Sequence, residues 1–160
     1  MRLKIISIGD TVEMIAVIQR VNHSYVNVEG ALVARINKGI LCLLGVQAGD
    51  EPRHAEKLIQ KIIDLRIFTD ADGKMNLSLQ DVNGDLMLVS QFTLAGDCNK
   101  GRRPSFDIAE KPLRAKQIYE HAIEFAKKSG LKIDSGVFQA DMKVGLENDG
   151  PVTFIIEIKD

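Results

Sequence analysis

Hydrophobic and polar positions alternate along most of this chain, and the alternation predicts strands. The run IAVIQRV (15–21) is apolar except at Gln19 and Arg20. SYVNVEG (24–30) sets Val26 and Val28 against Tyr25, Asn27 and Glu29, and ALVARI (31–36) follows a turn at Glu29-Gly30. GILCLLGV (39–46) is apolar throughout and begins with a glycine, as expected of a central strand buried on both faces. LMLVSQFTL (86–94) predicts another strand with a polar end. DADGKMNLS (70–78) predicts a hairpin turning at Asp72-Gly73. Near the C-terminus, DMKVGLEN (141–148) and PVTFIIEI (151–158) predict two strands joined by a hairpin-like Asn148-Asp149-Gly150-Pro151.

The helical period of 3.6 appears twice. Asp50 is a suitable N-cap, with Pro52 in the first turn and Ala55, Leu58, Ile59, Ile62 and Ile63 on one face. A second helix is predicted over 112–129, burying Ala115, Ile118, Tyr119, Ala122 and Phe125, with Gly130 ending it. Two amphipathic helices cover only one side of so much sheet. The prediction is therefore a single, strand-rich, layered α/β/β domain with a second sheet behind the first. Residues 1–13 read as an N-terminal extension of unassigned role, and residues 14–160 as the domain.

Composition removes several alternatives. A chain of 160 residues, 45% hydrophobic and 27% charged, has the makeup of one ordinary globular domain. Its formal charge of −1 supplies no global basic field, so any contact with nucleic acid must be local. Two cysteines make no disulfide framework; Cys42 reads as a buried, inert thiol, and reduced thiols fit a cytoplasmic protein. No run approaches the ~20 apolar residues of a membrane span, and Arg2 and Lys4 precede no signal-peptide cleavage pattern.

The usual catalytic signatures are missing. His23, His54 and His121 are scattered, with no metal-ligand spacing, and the expectation is no metal and no cofactor. His54, Glu56 and His121 read as residues of solvated helix faces. Cys98 with His121 has no local feature to single it out, and there is no nucleophile elbow, Walker loop or dinucleotide fingerprint. Two features remain: the polar strand end Ser90, Gln91 and Thr93, and the basic cluster Lys100, Arg102 and Arg103 just downstream. Each has a bland reading, as a strand leaving the core and as a solvated loop. Together they suit a phosphate-bearing ligand, because Arg forks match phosphate oxygens.

SQFTL at 90–94, together with NDGPVT at 148–153, resembles the two signature motifs of the D-aminoacyl-tRNA deacylases. GKMN (73–76), GRRPSF (101–106) and IQRV (18–21) fit the same pattern, and the resemblance runs in order from Met14 to about Ile158. Ser90-Gln91-Phe92 in place of Pro-Gln-Ala points to the D-specific branch. The stretch before Met14 has no counterpart in the family.

The resemblance implies a hydrolase that cleaves D-amino acids, and glycine mischarged on tRNA for alanine, from the 3′ end of tRNA. It implies a homodimer in which Gly150–Pro151 of each subunit, joined by a cis bond and braced by Arg20, enters the partner's site and rejects L side chains sterically. Met75 joins the substrate-binding set. Phe92 and Thr93 offer backbone N–H groups to an oxyanion, Gln91 orients substrate, and the substrate's 2′-hydroxyl assists. Lys100, Arg102 and Arg103 hold the acceptor end. Two other classes fit the residues alone: a metal-independent small-ester hydrolase, and a non-catalytic dimeric module binding RNA ends.

Overall fold

Two long antiparallel strands form the spine of the molecule, β1 (Val12–Val28) and β8 (Met142–Lys159). The computed structural model describes residues 12–159. Residues 1–11, most of the predicted extension, lie outside it; β1 begins two residues before Met14. The two runs predicted as separate strands at 15–21 and 24–30 are parts of this one strand.

Around the spine are β2 (Ala31–Ile36), β3 (Gly39–Gly45), α1 (Pro52–Asp64), the hairpin β4 (Phe68–Thr69) and β5 (Met75–Leu77), and β6 (Asp85–Ser90). They are followed by a 3-10 turn (Phe92–Ala95), α2 (Pro112–Lys127) and β7 (Ile133–Ser135). The main sheet runs β2-β1-β3-β6-β7, with β8 on β1. β3 pairs antiparallel with β1 and parallel with β6, so it is central, and only Leu43 in it is not fully buried.

Both helices cover one face of the sheet, as their apolar stripes require. Leu58, Ile59 and Ile62 of α1 and Ile118 and Ala122 of α2 pack with Ile18, Ile40, Cys42, Leu86 and Leu88 in the larger core. Burying each large aliphatic side chain contributes about 1.5–3 kcal/mol. Val21, Val26, Ala34, Ile36, Leu41, Met87 and Val89 form a smaller core on the opposite face. The layer behind that face is not a separate sheet: β2 belongs to the same six strands, carried back over β6 and β7 by the length of β1. Its free edge is closed by side chains, since Arg35 N–H and Asn37 N–H donate to the carboxylates of Asp134 and Asp85, each at 2.9 Å. That protects an edge otherwise open to pairing.

Several local expectations change. Glu51, not Asp50, is the N-cap of α1; its N–H donates to Nδ1 of His54 at 2.9 Å. His54 is buried rather than solvated, and Asp50 is turned inward to accept the Gln47 N–H. α2 ends at Lys127, two residues early, with Gly130 beyond it at φ +79°. β6 ends at Ser90, and the polar end of the predicted strand folds into the 3-10 turn.

The largest change is at the C-terminus: residues 142–159 are one strand, not a hairpin. Between the pairs Gln19↔Thr153 and Val21↔Asn148, β1 advances two residues and β8 five. The Asn-Asp-Gly-Pro sequence is thus a wide bulge that lets β8 continue in the same direction.

Candidate functional site

The parallel ladder of β3 and β6 ends at Leu44↔Ser90, and Gln91 N–H adds one more bond to Leu44 O at 2.8 Å. The chain then leaves the sheet. Gln91 is non-helical (φ −141°, ψ 80°) and Phe92 begins the 3-10 turn. This turn can lie against β3 because Gly45 is there: a Cβ on Gly45 would stand 3.0 Å from Leu94 Cβ. The first N–H groups of a helical turn have no partner inside it, and here they belong to Phe92 and Thr93. Gln91 Nε2 donates to Thr93 Oγ1.

Ser90, Gln91 and Phe92 line a cleft of about 750 Å³. Its other walls are Phe106 with the stretch from Ala109 to Pro112 at the head of α2, and the stretch from Phe138 to Met142 leading into β8. Tyr119 ties two of these walls together, its hydroxyl lying 2.9 Å from Leu88 O and 3.2 Å from Gly136 O. Burial pushes that phenol well above its ordinary range, so it stays neutral. Sequence periodicity identified Tyr119 only as a core residue, and Phe138–Met142 carried no signal because they act through position.

Lys100, Arg102 and Arg103 are exposed in a loop closed at its base by Asp97 and Ser105, whose backbones exchange bonds of 2.7 and 2.9 Å. Phe106 follows, its ring 5.2 Å from that of Phe92.

Gly150 and Pro151 are elsewhere. Their peptide bond is cis, and both residues are exposed. Asn148 Nδ2 donates to Arg20 O and Val152 O, each at 2.9 Å, and Asn148 Oδ1 accepts from Val152 N–H at 3.3 Å. Arg20, only 8% exposed, braces the bulge: Nε donates to Asp149 O at 2.9 Å and lies 3.2 Å from the Asp149 carboxylate. Nη1 donates to Ile67 O at 2.8 Å and to Thr69 Oγ1 at 3.3 Å. Thr69 pairs with Met75, so the exposed Met75 stands on the hairpin that this arginine joins to the bulge. Arg20→Ala leaves Ile67 O and Asp149 O without their donor, and we expect a loss of about 3 kcal/mol. Urea unfolding checks this; a change under about 1 kcal/mol would show the brace to be idle.

The two groups are far apart in one chain. Ser90 shares a row of the sheet with Leu44, Ala16 and Ile156, whereas the bulge lies opposite Arg20, in the row of Ile40 and Leu86. That is four residues along the strands and three strands across, roughly 13 Å by 14 Å at ordinary strand spacings.

One titratable cluster escaped the sequence reading. Glu13, Asp50 and His54 bring their donor atoms within 4.8 Å of one another at the start of α1. His54 Nδ1 accepts from Glu51, which leaves the proton on Nε2, facing the Glu13 carboxylate. An imidazole with both nitrogens so engaged suits a hydrogen-bonded support better than a metal centre. Burial pushes Asp50 up to about 6, against the Gln47 N–H and His54, which lower it, while Glu13 and Glu110 raise it. A carboxyl raised in the folded state stabilises below its unfolded pKa, and that contribution is lost as pH rises through about 6. Asp50→Asn keeps an acceptor for Gln47 and removes the charge. Its stability relative to the unsubstituted protein should therefore be greater at pH 8 than at pH 5. Equal differences at both pH values would refute this.

Comparison with known proteins agrees with the motifs. A family model described as D-Tyr-tRNA(Tyr) deacylase matches residues 17–157. A D-aminoacyl-tRNA deacylase of Geotalea uraniireducens (strain Rf4) is 57% identical over 144 residues, covering 90% of this chain and 93% of the relative. One from Persephonella marina is 57% identical over 146 residues, covering 91% and 99%. Among solved structures, the c-Myc DNA unwinding element binding protein superposes with TM-score 0.85 at 37% identity, covering 90% of this chain and 98% of that one. A probable eukaryotic D-amino acid tRNA deacylase shares the fold, with TM-score 0.79 at 17% identity over 91% and 99%. No helix among the described residues is long and apolar enough to cross a membrane.

Proposed function

The chain belongs to the D-Tyr-tRNA(Tyr) deacylase family, and we propose that its cleft hydrolyses the ester between a D-amino acid and the terminal ribose of tRNA. It is a D-aminoacyl-tRNA deacylase, a hydrolase. The observation that carries the site assignment is the turn at Phe92 and Thr93: its first N–H groups have no partner within the turn, it enters the cleft wall at Phe92, and among the described residues no nucleophile–base pair is assembled there. The Thr93 hydroxyl accepts from Gln91, and among the described residues no carboxylate or imidazole bonds to it.

In this reading water adds to the ester carbonyl, and the N–H groups of Phe92 and Thr93 stabilise the oxyanion. The bond to the ribose 3′-oxygen then breaks, and that oxygen takes a proton to leave free tRNA and the amino acid. The substrate's own 2′-hydroxyl assists the proton transfers, Gln91 orients the ester, and Ser90 closes the strand end beside it. Thr93→Ala should therefore cost no more than about tenfold in kcat/KM, about 1.4 kcal/mol. Isolation of an acyl-Thr93 enzyme would overturn this order of roles.

The protein acts as a homodimer in this scheme. The bulge of one subunit, with Gly150, Pro151 and Met75, closes the cleft of its partner, because one chain holds its own bulge too far away. Rigid backbone near the α-carbon excludes an L side chain, while D-amino acids and glycine place hydrogen there. Glycine mischarged on tRNA for alanine is then a substrate as well. Lys100, Arg102 and Arg103 hold the acceptor end, and the work belongs in the cytoplasm with charged tRNA.

Incubation of the purified protein with D- and L-tyrosyl-tRNA tests the reading: rapid release of D-tyrosine and none of L-tyrosine is expected. Equal release from a D-tyrosine ester lacking RNA would indicate a general esterase. Binding without release would indicate a non-catalytic module.

A further inference from the structure

Whatever occupies the cleft must leave it across its rim, and one part of that rim is built unlike the rest of the surface. Residues 97–114 carry five cations (Lys100, Arg102, Arg103, Lys111 and Arg114) against three carboxylates, in a chain of net charge −1. Two of those carboxylates are engaged by backbone of their own segment: Asp97 accepts from Asn99 N–H at 2.8 Å and Glu110 from Lys111 N–H at 2.7 Å. None of the five cations has an ion pair among the described residues.

The same segment holds large apolar side chains in water. Ile108 is 52% exposed, and Leu113, in the first turn of α2, is 74% exposed. Neither lines the cleft; Ala109 to Pro112 between them do. Phe106, one wall of the cleft, packs against Phe92 with the two rings tilted by 59°. Single-stranded nucleic acid is bound where cations meet the phosphates and aromatic side chains such as Phe92 and Phe106 carry bases; aliphatic Ile108 and Leu113 extend that apolar surface with plain van der Waals contact.

We propose that the head of α2, with Ile108, Leu113 and Arg114, is the track for the single-stranded 3′ end of the RNA, the nucleotides immediately before the terminal adenosine. It rests on the reading of the cleft as the acceptor-end site. Charge complementarity favours RNA, with a negative charge on every nucleotide, over a second copy of this chain, whose net charge is only −1. The base lying on Ile108 or Leu113 needs no identity, because an aliphatic side chain has no hydrogen-bonding group with which to read a base edge. Arg114 lies one turn beyond Lys111 and meets a backbone phosphate.

The test combines Leu113→Ser with Arg114→Glu and compares D-aminoacyl-tRNA with D-aminoacyl-adenosine, which has no phosphate. On tRNA, kcat/KM should fall about tenfold through KM, and its dependence on log salt should flatten by about 0.7 for the lost phosphate contact. Hydrolysis of D-aminoacyl-adenosine should be unchanged. The same charge reversal at Lys61, in the last turn of α1, should leave both substrates alone. A fluorescent single-stranded RNA ending in CCA reads binding without chemistry. If it binds the unsubstituted protein, and the double variant about tenfold less, the track stands even where no ester is cleaved; the functional reading alone then fails. Unchanged RNA binding by the double variant, equal losses on both ester substrates, or a change from dimer to monomer as the only effect would overturn the proposal.

Discussion

Gly150→Ala should abolish hydrolysis of D-aminoacyl-tRNA, by at least about a hundredfold, in a protein that still folds. The expectation comes from contact geometry. A Cβ built on Gly150 lies 2.0 Å from Val152 N and 2.9 Å from Val152 Cγ2. Neither atom can withdraw freely. Val152 is buried in the larger core, and its N–H is bonded to the Asn148 side chain. The exposed half of the bulge must therefore move, taking Pro151 with it. A displacement near 1 Å at a positioning element can cost about a hundredfold in rate. The damage stays local, because residues 149–151 lie outside both cores and Arg20 holds the bulge through Asp149 rather than Gly150. Circular dichroism and a thermal scan should show a native protein with a melting temperature lowered by a few degrees, the shift about 1 kcal/mol produces in a domain of this size. A folded Gly150→Ala protein with near-normal turnover would remove Gly150 and Pro151 from the site altogether.

Local chemistry explains which parts of this architecture were legible in the sequence. Ala55, Leu58, Ile59, Ile62 and Ile63 repeat at helical spacing, and they are the buried face of α1. GILCLLGV is apolar throughout, and β3 is indeed central. Cys42 is fully buried there, its thiol pushed up to about 12 by desolvation. The errors arose where distant residues decide the backbone. Asn148-Asp149-Gly150-Pro151 has the composition of a hairpin turn, yet the strand continues, because Arg20 and Asn148 bridge segments 128 and 129 residues apart in sequence. His54 has the polar neighbours of a solvated helix face, but residue 13 approaches it in space and buries it. The cleft is the extreme case. SQFTL marked one wall, while Phe138–Met142 became the other only through the pairing of β6 with β7 and of β8 with β1.

A mixture of two inactive variants should recover about a quarter of full activity, the expectation for random pairing in a twofold dimer whose sites draw on both chains. The first variant is Gly150→Ala. The second is Phe92→Pro, chosen because proline removes a backbone donor while fitting the first position of a helical turn. Gln91 before it is already outside the α region (φ −141°, ψ 80°), the region a following proline disfavours. Loss of one oxyanion donor costs about 100- to 1000-fold, so Phe92→Pro alone should be nearly silent. Phe92→Ala, which keeps the N–H and loses only the ring, should retain most of the rate constant while weakening substrate binding. When the two silent chains are unfolded together and refolded in equal amounts, half the dimers contain one of each. In those, one cleft combines an intact Phe92 turn with an intact bulge from the partner, and the other cleft combines both lesions. Recovery should depend on subunit exchange, appearing after co-refolding and more slowly after simple mixing. If each chain used its own bulge, every cleft in the mixture would carry one lesion, and activity would stay at the level of the separate variants. That result, in a solution shown to contain mixed dimers, would end the shared-site reading and leave the distance between Ser90 and Pro151 to be explained by a movement within one chain.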